Sequence, residues 1–397
     1  MPVPAQSYNL DRFEAYSSEI TPNHRHLIKA AVDAIERSFS DGPRLSMIRI
    51  KGHAAFFDQD PTPKVPYVTQ GLQRADAVVD ALHEELRTRG LEQLIEILSA
   101  TSAGVDEPVT SNKTRDGRAR NRRAEIELSH IDATLAPWRW ICRLEIDFGQ
   151  DVTSAYKPFG GPLRKGVGTG VLISERHVLT SAHNVFALVR KKTLGIDYRW
   201  VRPKRIKVSP GYDGSGSIVR TPYGTRTADP AKVQIFPGFD RPWDHSDYIW
   251  DGTMTSAANH RKSALDLAIV EVDRAFVRRP LWWGQSGPFP VGMPSFALLS
   301  EVLSRRDPHI RTAGYGEPFA QLLFSKGLYR RHQTSDRLID DRITGRPGNS
   351  GSPHWVKDDA GMNRLIAIHM GDNTVEGGDV AVALSPAKLS WIKRILS

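Results

Sequence analysis

The segment "GRPGNSGSPHW" (345–355) holds Ser350 between Gly348 and Gly351, with Pro347 ahead and Pro353 behind. Small residues crowded around one hydroxyl suit a backbone that turns sharply and points N–H groups at a ligand, because glycine tolerates such dihedrals without strain. A serine hydroxyl is a weak nucleophile on its own. It needs a base within hydrogen-bond reach, and the base needs a carboxylate to fix its tautomer and balance its charged form. "GTGVLISERHVLTSAHNVF" supplies such a base in His183, set after two strand-like runs beside the small Ser181 and Ala182. "SALDLAIVEVD" supplies the carboxylate in Asp266, at the head of an apolar strand. Asp247 in "WDHSDYIW" is a rival acid without a following apolar strand. The chemistry these residues could carry is acyl transfer through a serine ester, which calls for no metal and no organic cofactor.

Such groups work only if the chain folds them together. Its 397 residues, 40% of them hydrophobic, suffice for two or three domains with buried cores. Residues 21–130 alternate helical and strand patterns. Thr21 and Pro22 offer an N-cap and a first-turn proline. Leu27, Ile28, Ala31, Val32, Ile35 and Phe39 then recur at helical spacing, and Leu72, Ala75, Val78, Val79, Leu82 and Leu86 mark a second amphipathic helix. "LSMIRIKGH" and "AEIEL" read as strands, the latter after a basic loop, so the expected arrangement is a small α+β sandwich. Pro137 and Trp138 mark a boundary. Beyond them come short Val-, Ile- and Trp-rich runs between Gly, Pro and Asp clusters, the signature of an all-β barrel or sandwich. The interval between His183 and Asp266 reads as an elaborated surface loop, either covering the cleft or an inert insertion.

The order His, Asp, Ser is that of the chymotrypsin-type triads. "TSAHNV", "DLAIV" and "GNSGSP" together resemble the trypsin-like serine proteases over residues 136–397. The resemblance implies a double β-barrel in which His183 is general base, Asp266 orients it and Ser350 attacks the scissile carbonyl. Gly348 and Ser350 would lend their amides to the oxyanion hole. Asn349, "SGSP", "SPGYDG", "TPYG" and "AIHMG" are similar to the glutamyl-endopeptidase branch, which implies an S1 pocket formed by Thr344, Gly345 and His369 that takes an acidic side chain. The branch carries threonine five residues before the nucleophile, where this chain has Gly345. Arg346 beside it either contributes to the pocket or is simply exposed.

"ITPNHRHLIKAAVDAI", "IRIKGHA", "GLQRADAVVDAL" and "GRARNRRAEIEL" resemble the OmpA-like peptidoglycan-binding domain over roughly residues 8–130. That implies wall-peptide contacts from Arg74 and Arg122. Ala55 stands where the family has its acid, and Tyr67 where an asparagine is usual. The expected organisation is thus an OmpA-like domain over 8–134 and a protease domain over 135–397.

Charge and composition narrow the partners. The net charge of +9 is spread thinly, and "RDGRARNRRAEIE" has no interleaved aromatics, so a protein or peptide substrate is expected, with peptidoglycan as a second partner and nucleic acid disfavoured. The one cysteine, Cys142, allows no intrachain disulfide and reads as core. "ALHEELR" lacks the second histidine of a helical zinc motif, which leaves His83 a surface residue. No run is apolar enough to span a membrane, and the first residues have no signal-peptide pattern. The pairing of domains favours the cell envelope or export without a cleaved signal over the cytoplasm. The rival reading is a catalytically silent two-domain docking protein of the envelope.

Overall fold

The computed structural model describes residues 6–41, 44–57, 65–152, 163–191, 197–214, 219–240, 263–276, 282–283, 296–298, 309–316, 321–331, 338–341, 343, 345–372 and 379–397. They form two compact units, Met1–Ile131 and Asp132–Ser397.

The first unit runs β1 (Gln6–Leu10), α1 (Pro22–Asp41), β2 (Met47–His53), α2 (Tyr67–Thr88), β3 (Glu96–Gly104), α3 (Arg115–Asn121) and β4 (Ala124–Ser129). Its four-stranded sheet has the order β1-β4-β2-β3. β2 and β3 are parallel, while β4 runs antiparallel to both β1 and β2. Ile28, Ala31, Val32 and Ile35 of α1 join Val78, Leu82 and Leu86 of α2 in one core with Ile48, Ile50, Ile126 and Leu128 of the sheet. The helical periodicities therefore point inward as expected. The basic run differs: Arg115–Asn121 is a helix and not a loop. Thr114 caps it by accepting a hydrogen bond from the Gly117 amide at 2.9 Å, Asp116 lies in its first turn, and arginine is a good helix former. β1 and β3 carry little periodic apolar signal and are held largely by main-chain pairing to their neighbours.

The second unit is mostly β-sheet. Its first half contains β5 (Ile141–Val152), β6 (Leu163–Leu172), β7 (His177–Thr180), the short turn α4 (Ala182–Val185), β8 (Ala187–Lys191), β9 (Asp197–Val201), β10 (Arg205–Pro210), β11 (Arg226–Ala228), β12 (Gln234–Ile235) and β13 (Ala268–Glu271). Its second half contains β14 (His309–Gly314), β15 (Leu323–Arg331), β16 (Leu338–Asp341), β17 (Pro353–Lys357), β18 (Asn363–Asp372), β19 (Asp379–Ala383) and the terminal helix α5 (Pro386–Leu396). The first half is a seven-stranded sheet, β11-β10-β5-β6-β7-β13-β12, that curls until Ala228 bridges Val272 just past β13. The second half is a closed barrel, β14-β15-β16-β19-β18-β17. Among the described residues β8 and β9 pair with each other, within the interval that reads from sequence as an elaborated surface loop.

Aromatic residues join the two halves. Trp138 meets Phe324 at 5.7 Å and Trp355 at 5.6 Å, while Trp283 meets Trp140 at 5.3 Å and Trp355 at 5.6 Å. Each such pair adds about 0.5–1.5 kcal/mol beyond its buried area. Tyr315, just past β14, adds a polar tie: its hydroxyl donates to Tyr212 O at 2.9 Å and its amide to Thr169 Oγ1 at 2.9 Å. Burial pushes that phenol well above its ordinary pKa. Trp355→Ala is expected to cost about 3–5 kcal/mol in urea unfolding; a loss under about 1 kcal/mol would mean that the cluster does not hold the halves together.

Candidate active site

Where the curled sheet meets the barrel, His183 and Asp266 are bonded directly, and Ser350 is held beside them through Asn184, the residue after His183. His183 sits on α4, immediately after β7, and Asp266 precedes β13, the strand paired to β7. This pairing brings the two residues side by side. Asp266 Oδ2 lies 2.6 Å from His183 Nδ1, and Oδ1 accepts the His183 amide at 2.9 Å. The acid has no exposed surface, whereas the His183 side chain keeps 14%. A buried carboxylate only accepts, so the proton of that bond belongs to Nδ1, and Nε2 is left as the basic nitrogen.

Ser350 reaches the same place from the barrel. Its carbonyl accepts from the Thr169 amide at 2.9 Å and from Asn184 Nδ2 at 2.8 Å. Asn184 follows His183 directly, so one helical turn carries both the imidazole and a clamp on the serine. Thr169 Oγ1 donates to Gly348 O at 2.9 Å. Thr180 Oγ1 donates to Thr169 O at 2.6 Å, and Asn184 Nδ2 donates to Thr180 Oγ1 at 3.0 Å. Ser181 Oγ closes the set with a bond to His369 O at 2.7 Å. Sequence reasoning missed Thr169, Thr180 and Asn184 as site residues. Their only signal is position, in "GTG" and on both sides of "SAH", because buried clamps have no distinctive residue chemistry.

The turn around the serine requires its glycines. Gly348 and Gly351 have φ of 95° and 89°. A Cβ on Gly351 would lie 2.0 Å from Thr169 O and 2.2 Å from Thr180 Oγ1. Among the described residues, neither the Gly348 nor the Ser350 amide has a hydrogen-bond acceptor, whereas Asn349 N donates to Arg346 O and Gly351 N to His369 O, each at 2.9 Å. The two amides left over are those expected to face a developing oxyanion. Ser350 Oγ donates to Met370 O at 3.3 Å, a long bond for a hydroxyl that rotation about χ1 releases easily. A hydroxyl, an oriented imidazole and two spare amides can together transfer an acyl group.

No protein-family model matches the chain, and no curated protein matches its sequence. Among solved structures it is similar to a Glu endopeptidase in complex with MPD, at 17% identity and TM-score 0.40, over 66% of this chain and 93% of that one. A protease named Anisep from Arthrobacter nicotinovorans is similar at 14% identity and TM-score 0.35, over 62% and 89%. An inactivated protease paralogue of the scabies mite matches at 14% and 0.37, over 67% and 96%.

Other expected site residues fall in varied surroundings. Gly345 and His369 adjoin each other: a Cβ on Gly345 would lie 2.9 Å from His369 Nε2. Thr344 and Asp247 lie outside the described residues. Arg346 is exposed. Cys142 is fully buried, and His83 is a partly exposed surface residue with Nδ1 3.1 Å from Glu92. Among the described residues no His, Cys, Asp or Glu group could hold a metal ion, and no helix is long and apolar enough to cross a membrane.

In the first unit Arg74 has no exposed surface. It donates to the carbonyls of His53 at 2.7 Å, Ser17 at 3.1 Å and Glu14 at 3.4 Å, and burial lowers its pKa to about 10. Arg122 donates from Nε to Phe13 O at 2.6 Å. Both side chains thus bind the segment between β1 and α1.

His369 is titratable and almost wholly buried, and desolvation holds its pKa well below the ordinary 6.5, with the charges of His354 and His183 adding to the effect. The unfolded chain therefore takes up a proton that the folded chain refuses. Stability is full above pH 6.5 and falls below it, by up to about 1.4 kcal/mol per pH unit. Urea midpoints between pH 7.5 and 5.5 are expected to drop less in His369→Gln than in the wild type. Equal slopes would refute a neutral buried imidazole.

Proposed function

We propose that the chain is a serine endopeptidase whose second unit hydrolyses peptide bonds through an acyl-enzyme. The observation that carries this reading is the grip of Asp266 on His183, through both the ring and the amide of one residue, at a point where Asn184 and Thr169 hold Ser350. In this reading His183 Nε2 takes the Ser350 Oγ proton as the oxygen attacks the scissile carbonyl. The oxyanion forms against the amides of Gly348 and Ser350. His183 then passes the proton to the leaving amine, and water repeats the sequence in reverse to free the acid. Asp266 stays ionised and balances the imidazolium. Losing one oxyanion donor in such a site typically costs about 2.7–4 kcal/mol of transition-state stabilisation.

The first unit we read as an OmpA-like domain, because the quoted motifs fall at the end of β2, along α2 and across α3 into β4. That reading concerns the kind of domain and not its ligand. A wall peptide seeking Arg74 would have to displace the Glu14 and Ser17 carbonyls, and it would meet Ala55 in place of an acid.

A fluorophosphonate probe on the full-length protein tests the catalytic reading. Stoichiometric adduct on Ser350 is expected, with none on Ser350→Ala. Labelling of His183→Ala and Asp266→Asn should slow by about four orders of magnitude. No adduct on folded wild type would favour the silent docking protein instead.

A further inference from the structure

Just past the nucleophile stands another serine, Ser352, which the triad does not use and which has only 1% exposure. Its hydroxyl donates to Asn349 O at 2.5 Å, and its amide donates to the same oxygen at 2.9 Å. The amide bond closes a turn over 349–352, with Ser350 second and Gly351 third at a φ of 89°, near the value a type II turn asks of that position. Such a turn needs only the amide bond. The hydroxyl is an additional donor on an acceptor already met.

The fold makes room for that donor. A Cβ on Gly314, at the end of β14, would lie 1.9 Å from Ser352 Oγ, so any other residue there would displace the hydroxyl. The main chain around Ser352 is pinned to β18: its carbonyl accepts from the His369 amide at 2.8 Å, and Gly351 N donates to His369 O at 2.9 Å. The hydroxyl is thus aimed from a fixed backbone through a gap that glycine leaves.

The oxygen it meets belongs to the same peptide as the Ser350 N–H. That peptide is planar and trans, so the N–H points away from the Asn349 carbonyl, and donors that fix the oxygen fix the direction of the hydrogen. A hydrogen bond to a carbonyl also draws electrons through the peptide resonance from the nitrogen, which makes its N–H a stronger donor.

We propose that Ser352 is a positioning residue of the oxyanion hole, its hydroxyl orienting and polarising the Ser350 amide through the Asn349 carbonyl. This rests on the endopeptidase reading above and adds to it a group that acts through the main chain. The oxyanion exists only in the tetrahedral states of the reaction, so the hydroxyl affects acyl transfer and leaves substrate binding alone.

The experiment compares full-length wild type, Ser352→Ala and Ser352→Cys, the last keeping a side chain of similar size with a weak donor. With a fluorophosphonate, Ser350 Oγ displaces fluoride from phosphorus, and the pH midpoint of the rate reads the base. With a phenylalkyl trifluoromethyl ketone, Ser350 Oγ bonds to the carbonyl carbon, the C=O π pair moves to the oxygen and the hydroxyl proton to His183 Nε2. Fluorine NMR of that hemiketal then reads the pKa of the oxygen in the hole. Ser352→Ala is expected to slow labelling about tenfold, against about a hundredfold to a thousandfold for losing a donor outright, and to raise the hemiketal pKa by about one unit with the labelling midpoint unmoved. Ser352→Cys should fall between, and it carries the test against wild type if the alanine variant does not fold. An unmoved hemiketal pKa, or a labelling midpoint that shifts with the rate, would overturn the assignment in favour of a hydroxyl that only packs. No adduct on folded wild type would remove the endopeptidase reading and this one with it, whereas a labelled wild type with variants that match it would remove only this one.

Discussion

A carboxylate with no exposed surface must be met by donors, since an ion out of water and without partners costs several kcal/mol. Asp266 is such a group, and His183 meets it with both its amide and its ring. That constraint fixes much of the second unit. It demands that β7 and β13 be neighbours, that α4 begin where β7 ends, and that His183 present its amide and its ring to the same acid.

The barrel answers with the opposite strategy. Besides the Ser350 hydroxyl its contribution is main chain: the turn at 345–352 gives carbonyls to Thr169 and Asn184 and keeps two amides back. One half thus supplies the hydrogen-bonded His183–Asp266 pair and the other a hydroxyl on a shaped backbone, and the Thr169–Thr180–Asn184 hydrogen bonds knit them. Each of those side chains bonds to something in the other half or to a partner that does. A substitution there would shift the serine relative to the imidazole while sparing every group with obvious chemistry.

Legibility from sequence followed the kind of force involved. His183 and Ser350 stand out because small residues surround a reactive group, and Asp266 because a charge heads the apolar run "LAIVEV". Helices α1 and α2 stand out because burying one face leaves a period in the residues. α3 was hidden because arginine reads as charge before it reads as helix, and its cap is a single threonine. β1 and β3 were hidden because edge strands draw on main-chain pairing, which is blind to residue type. Arg74 shows the limit of transferring a role by position, since its guanidinium is engaged by carbonyls of its own chain.

The tryptophans at the junction have an optical consequence. Trp138 packs on Trp355, Trp355 on Trp283 and Trp283 on Trp140, at centroid distances of 5.3–5.6 Å, and none is more than 7% exposed. Indoles so close, held in an asymmetric setting, couple their electronic transitions. Near-ultraviolet circular dichroism and tryptophan emission therefore report on the seam between curled sheet and barrel without any added dye, and separation of the two halves becomes visible even while each keeps its strands.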